Sequence, residues 1–99
     1  MIEGKTKNGF AFSIDEKRMQ DIRVVDAIAT LDEESDDIKR LHALSTLRQV
    51  MLGKDSERLL DFVHSLHGED DLIPASEVME TLTEIIKIIA EKSKEIKNS

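Results

Sequence analysis

The sequence is poor in the residues that most often build covalent or catalytic chemistry. Its 99 residues include no cysteine, tyrosine or tryptophan, only one proline and only four glycines. Without cysteine, a disulfide, a thiolate metal site and a thiol nucleophile are excluded. The scarcity of proline and glycine argues against long disordered stretches. There is also no glycine-rich phosphate loop and no GxSxG motif, so we expect a non-enzymatic protein without a cofactor.

Long apolar runs and basic clusters are missing as well. No run approaches the ~20 apolar residues that span a bilayer, and the start of the chain lacks a signal-peptide core. The 14 Lys and Arg are outnumbered by 21 Asp and Glu, which gives a net charge of −7. Nucleic acid and anionic membranes attract clustered basic residues, so neither is an expected partner. We therefore expect one soluble, cytoplasmic domain.

Two groups of polar residues match metal sites only in part. His64 and His67 lie three positions apart and near Asp61, but no further ligand is indicated and HExxH is absent. An EF-hand loop starting at Asp32 would need glycine at its sixth position and glutamate at its twelfth, where Asp37 and Ala43 stand. We expect no metal site. Solvated helical histidines and acidic loops explain these residues, and also His42 and residues 69–71.

The first fourteen residues have the pattern of β structure. Phe10, Phe12 and Ile14 alternate with small residues, which is the period of a strand. Asn8-Gly9 precedes them and predicts a type I′ turn, because both positions tolerate positive φ. An isolated two-stranded hairpin is marginal in water. We therefore predict a β-hairpin or single strand over residues 1–14, with its phenylalanines resting on the rest of the protein.

The remaining residues have helical spacing and predict a mainly α fold, a small four-helix domain. Asp15, then Ser35 or Asp36, and then Asp55 are the expected N-caps, and Gly53 is expected to end the second helix. The predicted helices span residues 15–31, 36–52, 55–67 and 74–95.

Apolar stripes predict which faces of the first two helices meet the core. The stripe of the first helix comprises Met19, Ile22, Val25 and Ala29, widened by Val24, Ile28 and Leu31. The stripe of the second helix comprises Ile38, Leu41, Leu44 or Ser45, Arg48 and Leu52, with Leu47, Val50 and Met51 beside it.

The last helix carries more aliphatic residues than one neighbouring helix covers. Its apolar positions, which span about half the circumference, are Val78, Met79, Leu82, Ile85, Ile86, Ile88 and Ile89. Either all of them are core, or part of the arc faces a partner, with Met79 and Ile88 at its edges. The residues expected to bind a partner are Phe10, Phe12, Met79, Ile85, Ile88 and Ile89.

Short motifs in a fixed order run through most of the chain. Gly9-Phe10-Ala11-Phe12 leads into Ile14-Asp15-Glu16, and Met51-Leu52-Gly53 is followed by the acidic restart Lys54-Asp55. Gly68-Glu69-Asp70-Asp71 and Ile73-Pro74 then precede the final amphipathic helix, from Glu77 onward. In this order and spacing, roughly from residue 5 to 89, the chain resembles the tail assembly chaperones of long-tailed phages and prophages of Gram-positive bacteria. It departs from the family at Asp71-Leu72, where a glycine usually precedes a basic residue.

The resemblance implies a non-enzymatic role in phage tail assembly. Members of this family act as chaperones of the tape measure protein, the long helical protein that sets tail length. The implied partner is therefore the tape measure protein in the host bacterial cytoplasm, and the chaperone is not expected in the mature virion. A longer form made by ribosomal frameshifting is common in related phages. The alternative is a generic helical adaptor or regulator that binds one protein partner and has no phage role.

Two roles for the N-terminal strand remain open from the residues alone. The strand either only closes the core, or its outer edge also pairs with another copy to form a homo-oligomer. Nothing in its sequence, such as an edge proline, blocks such pairing.

The absence of further ligands leads to the first prediction. We expect His64 and His67 to bind no structural zinc, so thermal melts with excess zinc and with chelator should coincide. A shift of several degrees between the two melts would contradict this expectation.

Overall fold

The computed structural model describes residues 1–67 and 72–98, with side chains up to residue 93. A β-hairpin is followed by four α-helices, which confirms the predicted mainly α, four-helix class. The strands are β1 (Ile2–Lys5) and β2 (Ala11–Ile14), and a 3₁₀ turn spans Glu16–Gln20. The helices are α1 (Ile22–Glu33), α2 (Asp37–Leu52), α3 (Ser56–Leu66) and α4 (Ala75–Asn98), with a second 3₁₀ turn at Gly53–Asp55.

The two strands form an antiparallel pair in which Ile2 faces Ile14 and Gly4 faces Phe12. The predicted type I′ turn is wrong, because Asn8 does not have a positive φ and only Gly9 does, at 102°. The amide of Gly9 donates to the Thr6 carbonyl, and the amide of Thr6 donates to the Phe10 carbonyl, both at 3.0 Å. This is the three-residue loop in which glycine alone takes the left-handed conformation.

Close approach of the two strands depends on Gly4. A Cβ atom at this position would lie 2.7 Å from Cζ of Phe12 and 3.1 Å from Cγ2 of Ile88. The Phe12 ring therefore lies across the backbone of β1, and Ile88 of α4 packs on the same spot. A glycine here lets the aromatic ring, the strand and the helix come together.

The single first helix predicted over residues 15–31 is wrong. Asp15 caps only the 3₁₀ turn, the backbone is extended at Asp21, and α1 begins at Ile22. This break shifts the helical phase between Met19 and the residues of α1. Val24 and Ala27 are consequently the buried residues of α1, whereas Ile22, Val25 and Ala29 of the predicted stripe face solvent.

The buried face of α2 also differs from the predicted stripe. Leu44 and Leu52 are buried as expected, but Ile38 and Leu41 are exposed. The residues of α2 that enter the core are Ala43, Leu44, Leu47, Met51 and Leu52. The core-facing stripe thus follows the spacing of positions 43, 47 and 51. Ile38 and Leu41 lie beside this stripe and are at the surface.

Apart from Asp15, which caps the 3₁₀ turn and not α1, the helix ends match the expected capping residues with one exception. The Asp36 carboxylate accepts from the amides of Ile38 at 2.9 Å and Lys39 at 3.2 Å and so caps α2. Gly53 ends α2 with a positive φ of 57°, as expected. Asp55 precedes α3 but does not cap it with its side chain, which instead forms an ion pair with Arg58.

One core contains residues from both strands and all four helices. On α4 the buried residues are Val78, Thr81, Leu82, Ile85 and Ile89, while Met79, Ile86 and Ile88 are partly buried. The apolar arc predicted for the last helix is confirmed, and Thr81 is a buried polar residue within it. Of the loop predicted between the third and fourth helices, Leu72 and Ile73 are non-helical, and residues 68–71 lie outside the described residues.

Asp21 gives the fold a specific acid sensitivity. The Arg23 guanidinium donates to both carboxylate oxygens, and the Arg23 amide donates to Oδ1 at 2.9 Å. These hydrogen bonds lower the pKa of Asp21 from 3.8 to about 2. A carboxylate with a lowered pKa in the folded state stabilises it above its unfolded pKa, and this contribution is lost as pH falls toward the folded pKa.

We therefore expect Asp21→Asn to be less stable than the wild type near neutral pH, with the difference shrinking between about pH 4 and pH 2. Asparagine still caps a helix, so the substitution removes the ion pair and retains the fold. Urea unfolding at a series of pH values measures the difference. Parallel pH profiles for the two proteins would show that Asp21 does not contribute in this way.

Candidate functional site

The residues predicted to bind a partner separate into two groups in the structure. Four of them are buried in the core and are out of reach of a partner in this fold: Phe10, Phe12, Ile85 and Ile89. Met79 and Ile88 are partly buried and line the outer side of α4. A partner surface on this fold therefore has to include residues outside the predicted set.

Phe10 is held by aromatic and cationic contacts from α3. Its ring stacks on Phe62 with the centroids 5.5 Å apart and the planes inclined by 28°. The Arg58 guanidinium carbon lies 4.4 Å from the centre of the Phe10 ring, within the range of a cation–π interaction. Phe10, Phe62 and Arg58 together fix the hairpin on α3.

The turn of the hairpin is fixed on α4 by hydrogen bonds. The side-chain amide of Asn8 donates to the buried hydroxyl of Thr81 at 3.0 Å, and that hydroxyl donates to the Glu77 carbonyl at 2.8 Å. The backbone amide of Lys7 donates to Oε1 of Glu84 at 2.7 Å. Asn8 thus docks the turn through its side chain, and one face of α4 is occupied by the hairpin.

A groove remains open between α2, α3 and the start of α4, and we call it the α2–α3–α4 groove. It has a volume of about 220 Å³ and mainly aliphatic walls. Its lining residues are Leu41, Leu44, Ser45, Arg48, Leu60, Ile73, Ala75 and Val78. Leu41 is 53% exposed, and Ile73 is also exposed. The groove is therefore an accessible apolar surface on a highly charged protein.

Two further aliphatic residues extend this surface. Ile38 lies one helical turn before Leu41 on the same face of α2 and is 69% exposed. Leu72 directly precedes Ile73 and is exposed as well. The sequence contains a signal for this surface, because Ile38, Leu41, Ser45 and Arg48 form a stripe at helical spacing. Sequence reasoning assigned that stripe to the core.

Arginines on α2 lie beside the groove. Arg48 donates a hydrogen bond to the Ser56 hydroxyl, which ties α2 to the start of α3. Nη2 of Arg40 lies 3.9 Å from the sulfur of Met79, between α2 and α4. Nε of Arg40 is buried and has no hydrogen-bond partner among the described residues. These contacts brace the helices that form the walls of the groove.

A second groove runs along the outer side of α4. It has a volume of about 500 Å³, and Met79 and Ile88 contribute its apolar part. The other lining residues are Lys7, Glu80, Thr83, Glu84, Lys87 and Glu91. Six of its eight lining residues are polar or charged, and Glu84 is already engaged by the hairpin turn. The α2–α3–α4 groove is thus the better candidate for binding an apolar partner.

Within the part of the chain that the structure describes, the three histidines form no metal-binding cluster with acidic residues. Over residues 1–67 and 72–98 there is no group of three or more His, Asp or Glu side chains arranged to hold a metal ion. His64 is partly buried, and His42 and His67 are exposed. Within the same residues, no helix combines the length and apolar character needed to cross a membrane.

Comparison with known proteins gives no relative: no family model, curated protein or solved structure matches this chain. Any inference about function therefore depends on the surface geometry. That geometry consists of an open aliphatic groove between α2, α3 and α4 and a hairpin docked on α3 and α4.

The positions of Ile85 and Ile88 on α4 make a matched pair for testing which part of this helix is core. Ile85 is completely buried, so Ile85→Lys places an unpaired charge in the core and should abolish cooperative unfolding. Ile88 is partly buried, and a lysine there can extend its amine to water. We expect Ile88→Lys to cost about 1 kcal/mol and to lower the Tm by roughly 4–8 °C.

Thermal melts followed by circular dichroism compare the two variants with the wild type. Equal destabilisation by both substitutions would mean that the outer side of α4 is as essential to the core as its centre.

Proposed function

We propose that this protein is a non-enzymatic tail assembly chaperone that binds the tape measure protein and keeps it soluble during assembly. The observation that carries the proposal is the α2–α3–α4 groove, an open concave surface with mainly aliphatic walls. The family resemblance in the order of the sequence motifs supplies the identity of the client.

The shape of the groove suits a helical client. Ile38 and Leu41 lie one turn apart on α2, and Leu41 lines the groove together with Leu60 of α3 and Ile73. An amphipathic helix binds such a groove by inserting apolar residues spaced three or four positions apart. The tape measure protein is a long helical protein, so it offers many such segments.

The charge of the chaperone suits a solubilising role. A net charge of −7 on 99 residues keeps bound complexes hydrated, and it keeps them apart through electrostatic repulsion. A groove of about 220 Å³ provides only modest affinity for each copy. Many copies along one extended client would offset that weakness, because neighbouring segments of the same client are held at high local concentration.

A generic helical adaptor is the second candidate, because an open aliphatic groove serves it equally well. The two functions differ in the client. A tape measure gene directly downstream, and binding of its product, are expected for the chaperone and not for the adaptor.

The test is co-expression of the tape measure protein encoded beside this gene with three forms of the chaperone. The wild type should raise the soluble fraction of the tape measure protein. The double variant Ile38→Glu, Leu41→Glu should return it to the level seen without chaperone, because one charge then lies in the groove and a second lies on the aliphatic surface beside it. Glutamate is favourable in the first turn of a helix, so α2 should still form.

The matched control is Ile22→Glu, Val25→Glu. Ile22 is 66% exposed against 69% for Ile38, and both lie in the first turn of a helix. Ile22 and Val25 line none of the grooves described above, and this variant adds the same charge. The control should solubilise the client as the wild type does.

Each other outcome counts against part of the proposal. Equal loss in both double variants would show that charge, and not the groove, matters. No effect in either variant would place binding elsewhere. A wild type that fails to solubilise the tape measure protein would favour the adaptor.

A further inference from the structure

The hydrogen-bonding pattern of the hairpin shows which backbone groups face outward. Thr6 and Phe10 form a hydrogen-bonded pair, since the amide of Thr6 donates to the carbonyl of Phe10. Such pairs alternate in an antiparallel ladder, so Gly4–Phe12 and Ile2–Ile14 are also hydrogen-bonded pairs. The backbone groups of the intervening residues therefore point away from the partner strand: Glu3, Lys5, Ala11 and Ser13.

On each outer edge, one of these outward carbonyls is occupied by a cationic side chain from a helix. Nη2 of Arg58 on α3 donates to the carbonyl of Ala11 on β2 at 2.7 Å. Lys92 on α4 donates to the carbonyl of Glu3 on β1. An exposed strand edge is a template for pairing with another chain, and charged side chains are a common way of blocking it.

Arg58 is held over the edge of β2 by two further contacts. Its guanidinium lies on the Phe10 ring at 4.4 Å, and its Nε is 3.5 Å from Oδ1 of Asp55. These contacts act from three directions, so the group stays at the Ala11 carbonyl although the side chain is 48% exposed. Arg58 is the one side chain of the described residues that donates to an outward backbone group of β2.

The rest of the β2 edge is open and carries short side chains. Ala11 is exposed and Ser13 is partly buried, so short side chains flank the outward groups. The amide of Ala11 and both backbone groups of Ser13 have no hydrogen-bond partner among the described residues. A second copy related by a two-fold axis would present the same donors and acceptors in antiparallel order, which makes this edge self-complementary.

We propose that the outer edge of β2 is a pairing surface for β2 of a second copy of this chain, and that Arg58 keeps it closed. In the wild type the edge stays unpaired, because a second strand would have to displace Arg58 from the Ala11 carbonyl, the Phe10 ring and Asp55. The net charge of −7 on each copy also opposes pairing. This surface lies apart from the α2–α3–α4 groove, and the inference does not rest on the proposed function.

The test removes the donor and keeps the packing. Arg58→Met retains an unbranched apolar side chain over the Phe10 ring but donates no hydrogen bond to Ala11. We expect the dimer dissociation constant of this variant, measured by sedimentation equilibrium, to be lower than that of the wild type by about tenfold or more.

Ser13→Pro in the Arg58→Met background identifies the interface. The amide of Ser13 points outward, so proline removes no hydrogen bond within the hairpin and blocks an incoming strand. We expect it to return the dissociation constant to the wild-type range. Self-association through any other surface would be the same in both variants and would cancel from the comparison.

Arg23→Met is the control for loss of a helical arginine. Arg23 is exposed and ion-paired with Asp21, and its hydrogen bonds go to Asp21 and not to either strand, so this variant should behave as the wild type does. Circular dichroism verifies the fold of each variant, and Arg58→Leu, which also lacks a hydrogen-bond donor, replaces Arg58→Met in the same comparison if the latter is unfolded.

Three results would overturn the proposal. A folded Arg58 variant that associates no more tightly than the wild type would show that Arg58 does not close the edge. Association that persists with Ser13→Pro would place the interface elsewhere. An equal effect of Arg23→Met would assign the change to net charge.

Discussion

Burial of Phe10 is the interaction on which the arrangement of this fold depends. A hairpin with four-residue strands is marginal on its own, and burying one aromatic ring contributes about 2 kcal/mol. The Phe62 ring and the Arg58 guanidinium receive Phe10 on α3, while Asn8 and Lys7 fix the turn on α4. The hairpin thereby joins α3 to α4 and covers a side of α4 that would otherwise be apolar and exposed.

The two surfaces proposed for interaction follow from this arrangement. The hairpin occupies one side of α4, and helix α2 packs against α1 and also contacts α4. This packing sets which residues of α2 face the core. Leu41 is left on the wall of the α2–α3–α4 groove, and Ile38 is left exposed beside it. Arg58, which holds Phe10 in place, also occupies the edge of β2. The contact that docks the hairpin therefore also limits what the hairpin can bind.

The strands and helices of the fold could be predicted from local signals. Which face of α1 and of α2 meets the core could not. Alternation of Phe10, Phe12 and Ile14 gave a strand, and Asp36 and Gly53 gave the ends of α2, because strand period and capping are local properties. The first helix was predicted too long, because the extended backbone at Asp21 is not distinguishable in sequence from a polar position within a helix. Three residues of its predicted stripe, Ile22, Val25 and Ala29, consequently face solvent, whereas Val24, Ile28 and Leu31 contact the core.

The sequence by itself determined the class of the fold, the acidic surface, the central apolar arc of α4 and the absence of cysteine chemistry. Tertiary structure decided which apolar residues are available. Ile38 and Ile85 are both isoleucines at helical spacing, yet one lies on a groove and the other is fully buried. The same holds for Arg58, whose place at the Ala11 carbonyl depends on residues 47 positions apart in the chain. Such contacts leave no periodic trace, because periodicity reports which residues share a face and not what that face meets.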